Sequence, residues 1–106
     1  MEEKLKKIIK HYGPRKQLKK LVEEVFEFIE AVIDYENDWN SSDTTIGIIE
    51  KDKEHIDEEY SDINVVLEEF AVYLDIDKNK SKEIMQYKVN RQLRRIENEQ
   101  SRLGLD

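Results

Sequence analysis

Two long stretches of this chain carry apolar side chains at helical spacing, and no pair of segments reads as strands. In the first stretch Leu18, Leu21, Val22, Val25, Ile29 and Val32 fall at helical spacing. In the second, Ile49, Ile56, Tyr60, Ile63, Leu67, Phe70 and Leu74 do the same. That period lines one face of a helix and demands something apolar to lie against it. Gly13-Pro14 separates the first stretch from a short amphipathic segment with Leu5, Ile8 and Ile9 on one side. Pro14 suits the first turn of a helix, where its missing N–H costs nothing. The polar run Asn40-Ser41-Ser42-Asp43 breaks the chain again, with Ser42, Asp43 or Thr44 placed to cap the next helix. The pattern predicts helices over 2–11, 15–38, 46–75 and 80–100, joined by short connections. The expected fold is all-α, one domain over 1–106, an antiparallel four-helix-type bundle completed by oligomerisation.

A chain of 106 residues buries only a modest core. Charged residues make up 41 % of it and the formal net charge is -7. Nonspecific binding to nucleic acid or to an anionic membrane needs the opposite sign. An anionic substrate is still allowed, because a divalent cation bridges acids to phosphate. With no cysteine there is neither a disulfide framework nor a thiolate metal site. The opening Met-Glu-Glu-Lys lacks a secretory pattern, and no apolar run is long enough to span a bilayer, so a cytoplasmic location is expected.

At this charge density acids on helices are ordinarily the wet face, yet two groups sit elsewhere. They are Glu23-Glu24-x-x-Glu27 and Glu58-Glu59-x-x-Asp62. On a wheel of about 100° per residue, Glu59 falls about 55° from the centre of its apolar stripe, and Asp62 lies at the edge. Glu24 sits at the border of the helix-two stripe between Leu21, Phe28 and Ala31, with Glu27 one step further out. Glu23 and Glu30 point to solvent. A carboxylate inside a core-facing stripe is costly unless paired or bound to a cation. Two explanations fit: a shared divalent ion, or a buried ion pair of Glu24 or Glu59 with Lys20, Lys88 or Arg91.

An all-oxygen site favours Mg²⁺, with Mn²⁺ as the alternative, over zinc, iron or copper. The helical di-iron pattern needs Glu-x-x-His on two helices. Only His55 is near the acids, and no Glu precedes it by three. His55 and His11 therefore read as surface or boundary residues.

The acidic pair resembles a family pattern, Glu-Glu-x-x-Glu followed on the next long helix by Glu-x-x-Asp. Here it reads Glu23-Glu24-Val25-Phe26-Glu27 and Glu59-Tyr60-Ser61-Asp62. The flanks Gln17-Leu18-x-x-Leu21 and Ile63-Asn64-Val65-Val66-Leu67 are similar too. The family is the MazG-like, all-α nucleoside triphosphate pyrophosphohydrolase group, related to the dimeric dUTPases and dCTP pyrophosphatases. The resemblance covers roughly residues 5–97. It implies that Glu24, Glu27, Glu59 and Asp62 hold one or two Mg²⁺ ions. It implies hydrolysis of a (deoxy)nucleoside triphosphate to the monophosphate and pyrophosphate, with Glu23 or Glu27 positioning or deprotonating the attacking water.

Lys88-Val89-Asn90-Arg91-Gln92-Leu93 looks like the phosphate-contacting helix of small MazG-like proteins. Lys88 and Arg91 lie one turn apart and can face one anion, although Arg94 and Arg95 also allow a plain solvated basic face. Trp39 can stack on a base or serve as a core or subunit contact. The apolar arc of helix two, widened by Phe26 and Ile33, exceeds what one partner helix covers, so a homo-dimer or homo-tetramer is expected. The competing reading is a noncatalytic acidic helical interaction or nucleotide-binding module.

Overall fold

The computed structural model describes residues 1–104. They form four helices and no strand, and 87% of the described residues are helical. The helices are α1 (Glu2–Tyr12), α2 (Pro14–Trp39), α3 (Ile46–Tyr73) and α4 (Lys78–Arg102). Among the described residues, no helix is long and apolar enough to cross a membrane. The chain divides into two compact units, Met1–Asp75 with α1 to α3, and the remainder from Ile76 with α4.

Local chemistry explains each boundary. Gly13 takes φ +88°, a backbone region costly for any side chain, and its N–H donates to the Ile9 carbonyl, closing α1. Pro14 then opens α2 at once. The cap of α3 is Thr45, one residue beyond the expected candidates. Its Oγ1 accepts from the Ile48 N–H at 3.3 Å, and its extended backbone supplies the entry angle. Asp77 caps α4 the same way, accepting from the Lys80 N–H at 3.0 Å.

In the first unit α2 and α3 lie antiparallel along most of their length. Gln17 meets Glu69, Glu27 meets Glu59, and Asp38 meets Asp52. The facing row of α2 is Gln17, Leu21, Glu24, Phe28, Ala31, Tyr35 and Asp38, each buried or half-buried. That of α3 is Ile49, Asp52, Ile56, Glu59, Ile63, Val66 and Phe70. Alternating steps of three and four keep each row on its seam, as in coiled-coil packing. α1 crosses one end, where Ile9, Val66 and Phe70 form a buried cluster with Leu21 against it. Leu5 is buried on the same side of α1.

Both facing rows are turned from the stripes the sequence predicts. Leu18, Val22, Val25 and Ile29 on α2 are exposed, as are Tyr60 and Leu67 on α3 and Leu74 just past its end. Each helix has an apolar arc wider than one neighbour covers, and the wheel's centre falls between the covered part and the uncovered part. In the second unit, α4 carries Met85, Val89, Leu93 and Ile96 exposed along one side.

Candidate metal centre

Glu24 and Glu27 stand one turn apart on α2, and Glu59 rises from the facing row of α3. One carboxylate oxygen from each lies within 4.8 Å of the others. Glu24 is held in place by its row, between Leu21 and Phe28, and Glu59 by Ile56 and Ile63. Glu59 is only 8% exposed. Its Oε2 and the Oε2 of Glu24 are both buried with no hydrogen-bond partner. An ionised oxygen stripped of water and given no donor is expensive, and a cation is the group that removes the cost.

The electrostatics agree. Burial pushes the Glu24 carboxyl above its ordinary value, and Glu27, Asp62 and Glu59 push it further, with Lys20 only partly offsetting them. Burial likewise raises Glu59, helped by a hydrogen bond to Glu27 and by the charges of Glu27 and Asp62, with His55 opposing. Burial and the neighbouring negative charges thus make the ionised forms of Glu24 and Glu59 costly.

Of the residues expected in the site, the structure brings together Glu24, Glu27 and Glu59. Asp62 is exposed, one turn along α3 from Glu59; it lies outside the triad but close enough for both Glu24 and Glu59 to feel its charge. Glu23 is exposed beside Glu24 and lines a surface cleft with Tyr12, Lys16 and Lys20. Trp39 is not brought to the acids. It ends α2, about 18 Å along the axis from Glu27, stacked on Tyr35 at 6.1 Å. There it lines a cleft of about 360 Å³ with Thr45, Ile46 and Ile49. Lys88 and Arg91 belong to α4, where the Arg91 guanidinium lies over the Tyr87 ring at 5.9 Å.

Two participants carry no clear mark in the sequence. His55 is no bystander: its Nε2 stands 3.2 Å from Glu59 Oε1, one turn earlier on the same helix. The i, i+4 relation between them is the available signal, and the di-iron pattern, with its Glu three residues before a histidine, does not contain it. Further along the seam, Asp52 is hydrogen-bonded to Asp38, which raises its carboxyl above the ordinary range, with burial, the Asp38 charge and Asp34 adding. Here too His55 opposes the shift.

The donor set fits a hard divalent ion. Oxygens on opposite sides of Mg²⁺ stand about 4.2 Å apart, and around Ca²⁺ about 4.8 Å. Three oxygens on one octahedral ion cannot all be opposite one another and neighbours stand about 3 Å apart, so the triad, with its oxygens within 4.8 Å of one another, must draw together to hold Mg²⁺ or Mn²⁺. A fully paired ion bridge with Lys or Arg is not what these acids form: among the described residues, the basic side chain within bonding distance of the triad is the His55 imidazole. No family model, curated protein or solved structure matches this chain.

Proposed function

We propose that this chain is a Mg²⁺-dependent nucleoside triphosphate pyrophosphohydrolase, cleaving a (deoxy)nucleoside triphosphate to the monophosphate and pyrophosphate. The observation that carries the reading is the convergence of Glu24, Glu27 and Glu59 from two helices, with two buried oxygens lacking any donor. The order of these acids along the chain, and its likeness to the MazG-like motif, supplies the reaction.

Glu24, Glu27 and Glu59 would hold the ion, with Asp62 adding negative charge at the rim. When bound, Mg²⁺ supplies a positive charge that neutralises the triphosphate and the charge developing on it. The chain's own contribution is positional. The packed rows of α2 and α3 fix Glu24 and Glu59, so their carboxylates need no reorganisation as charge shifts. His55 holds Glu59 through Oε1, while Oε2 is buried without a partner. Glu23, exposed and adjacent, or Glu27, takes the proton from the water that attacks at the phosphorus near the α/β bridge. The bond from that phosphorus to the bridging oxygen breaks and pyrophosphate leaves. The working unit is proposed to be a homo-oligomer acting in the cytoplasm.

The test is pyrophosphate release across canonical and modified nucleotides, with and without Mg²⁺. Turnover of at least one nucleotide with Mg²⁺, lost in Glu59→Gln with helicity intact, is the expected result. No turnover across the whole panel would leave a noncatalytic acidic module as the better reading.

A further inference from the structure

The face of α2 turned away from α3 is as regular as the face turned toward it. Leu18, Val22, Val25, Phe26, Ile29 and Ile33 line it, between 37% and 61% exposed. Their steps are again mostly three and four, so they form a second apolar seam about 140° around the helix from the first. Exposed Arg15 lies in line with this seam at its N-terminal end, and exposed Glu36 at its C-terminal end.

The seam is a palindrome in chemistry. Pairing residues whose numbers sum to 51 sets Arg15 against Glu36, Leu18 against Ile33, Val22 against Ile29, and Val25 against Phe26. Such a rule describes two copies of one helix lying antiparallel about a two-fold axis between residues 25 and 26. Charge selects that direction. Arg15, Lys16, Lys19 and Lys20 crowd the first third of α2, and Glu30, Asp34, Glu36 and Asp38 crowd the last. Antiparallel copies place basic ends on acidic ends; parallel copies place like on like. A shallow groove of about 740 Å³, lined by Arg15, Lys16, Leu18, Lys19 and Val22, lies where this register seats the partner's Ile33 and the partner's Glu36.

We propose that the occupant of this face is a second copy of the same chain, joined through an antiparallel α2–α2 contact centred on Val25 and Phe26. This rests on the self-association proposed above and names its surface and register; it does not depend on the metal chemistry. The pairing leaves the acidic seam free, because Glu24 lies in the row of α2 that faces α3 and Glu59 in the row of α3 that faces α2.

Sedimentation equilibrium and disulfide mapping on the full chain test it, and the absence of native cysteine makes the mapping clean. The wild type is expected to be a dimer. Val25→Cys links to its own copy on mild oxidation. Leu18→Cys alone does not, because in this register the two Leu18 positions are about 22 Å apart along the axis. A mixture of Leu18→Cys and Ile33→Cys chains links to each other. Phe26→Glu raises the dimer dissociation constant about 100-fold or more with helicity retained. Arg15→Glu raises it about 10-fold, and adding Glu36→Arg restores it. A monomeric wild type would overturn both self-association and this register. A dimer in which Leu18→Cys links to itself would show parallel pairing. A dimer in which Val25→Cys stays unlinked, or links instead to a cysteine at Met85 or Leu93, would overturn the register and leave self-association standing.

Discussion

α3 buries two glutamates ten residues apart, and they are treated in opposite ways. Glu69, at the α1 end, is 1% exposed and receives a 2.7 Å hydrogen bond from Gln17 Nε2, itself buried at 2%. It sits beside the apolar cluster of Ile9, Val66 and Phe70 as a matched polar pair. Glu59, at 8% exposure, faces two more carboxylates, and one of its oxygens has no donor at all. A buried acid with a donor is a packing solution; a buried acid among acids stores unfavourable energy that only a proton or a cation relieves. Local consistency thus fails among the acids of the seam, at Glu59 with Glu24 and Glu27 and again at Asp52 beside Asp38, and such failures are where function concentrates.

The sharpest way to break that comparison is to neutralise each glutamate's environment in turn. Glu59→Gln is expected to lower pyrophosphate release by about 100-fold or more, as loss of a metal ligand does. Equal activity in mutant and wild type, measured under saturating Mg²⁺, would remove Glu59 from the site. Gln17→Leu should leave Glu69 buried without its donor and cost about 2–3 kcal/mol in urea unfolding. A loss under about 0.5 kcal/mol would show that Glu69 is not held by this bond.

Metal supplies the next contrast. At about a hundredfold excess over its dissociation constant, Mg²⁺ or Mn²⁺ should stabilise the wild type by about 2.7 kcal/mol against unfolding and leave Glu59→Gln nearly unmoved. The smallest effect is in pH. Glu24 and Glu59 have folded-state carboxyls raised above the ordinary value of 4.5. The folded protein therefore holds protons that the unfolded chain has released just above that pH. Stability from these groups is full below the unfolded value and declines as pH rises through the folded one. Metal-free wild type should accordingly be more stable in mild acid than at neutral pH, and Glu59→Gln should flatten the slope. A wild-type stability that climbs steadily over the same range would contradict the assigned direction.

Much of the fold is legible in the sequence. Helical spacing, the Gly13-Pro14 break and the polar loop at 40–43 place all four helices within two residues of their observed ends. The rotation of α2 and α3 is not legible, because Leu67 and Val66 are equally apolar and periodicity cannot say which one faces a neighbour. Glu69 is hidden for a related reason. Its partner Gln17 lies 52 residues away, and nothing local marks the two as a pair. Glu24 and Glu59 stand out because their misplacement is relative to their own helix. Asp62 falls at the stripe's edge on the wheel and stands exposed beside the triad, the kind of half-turn difference that a wheel does not resolve.

Calorimetric titration of Mn²⁺ into metal-free protein, comparing wild type, Glu59→Gln and Glu58→Gln, shows whether the triad holds a cation. Glu58 adjoins Glu59 in sequence but is exposed and outside the triad. A cation held by the triad predicts saturable binding in the wild type, retention in Glu58→Gln and loss in Glu59→Gln. Binding that survives in Glu59→Gln, or that disappears equally in both variants, would contradict it.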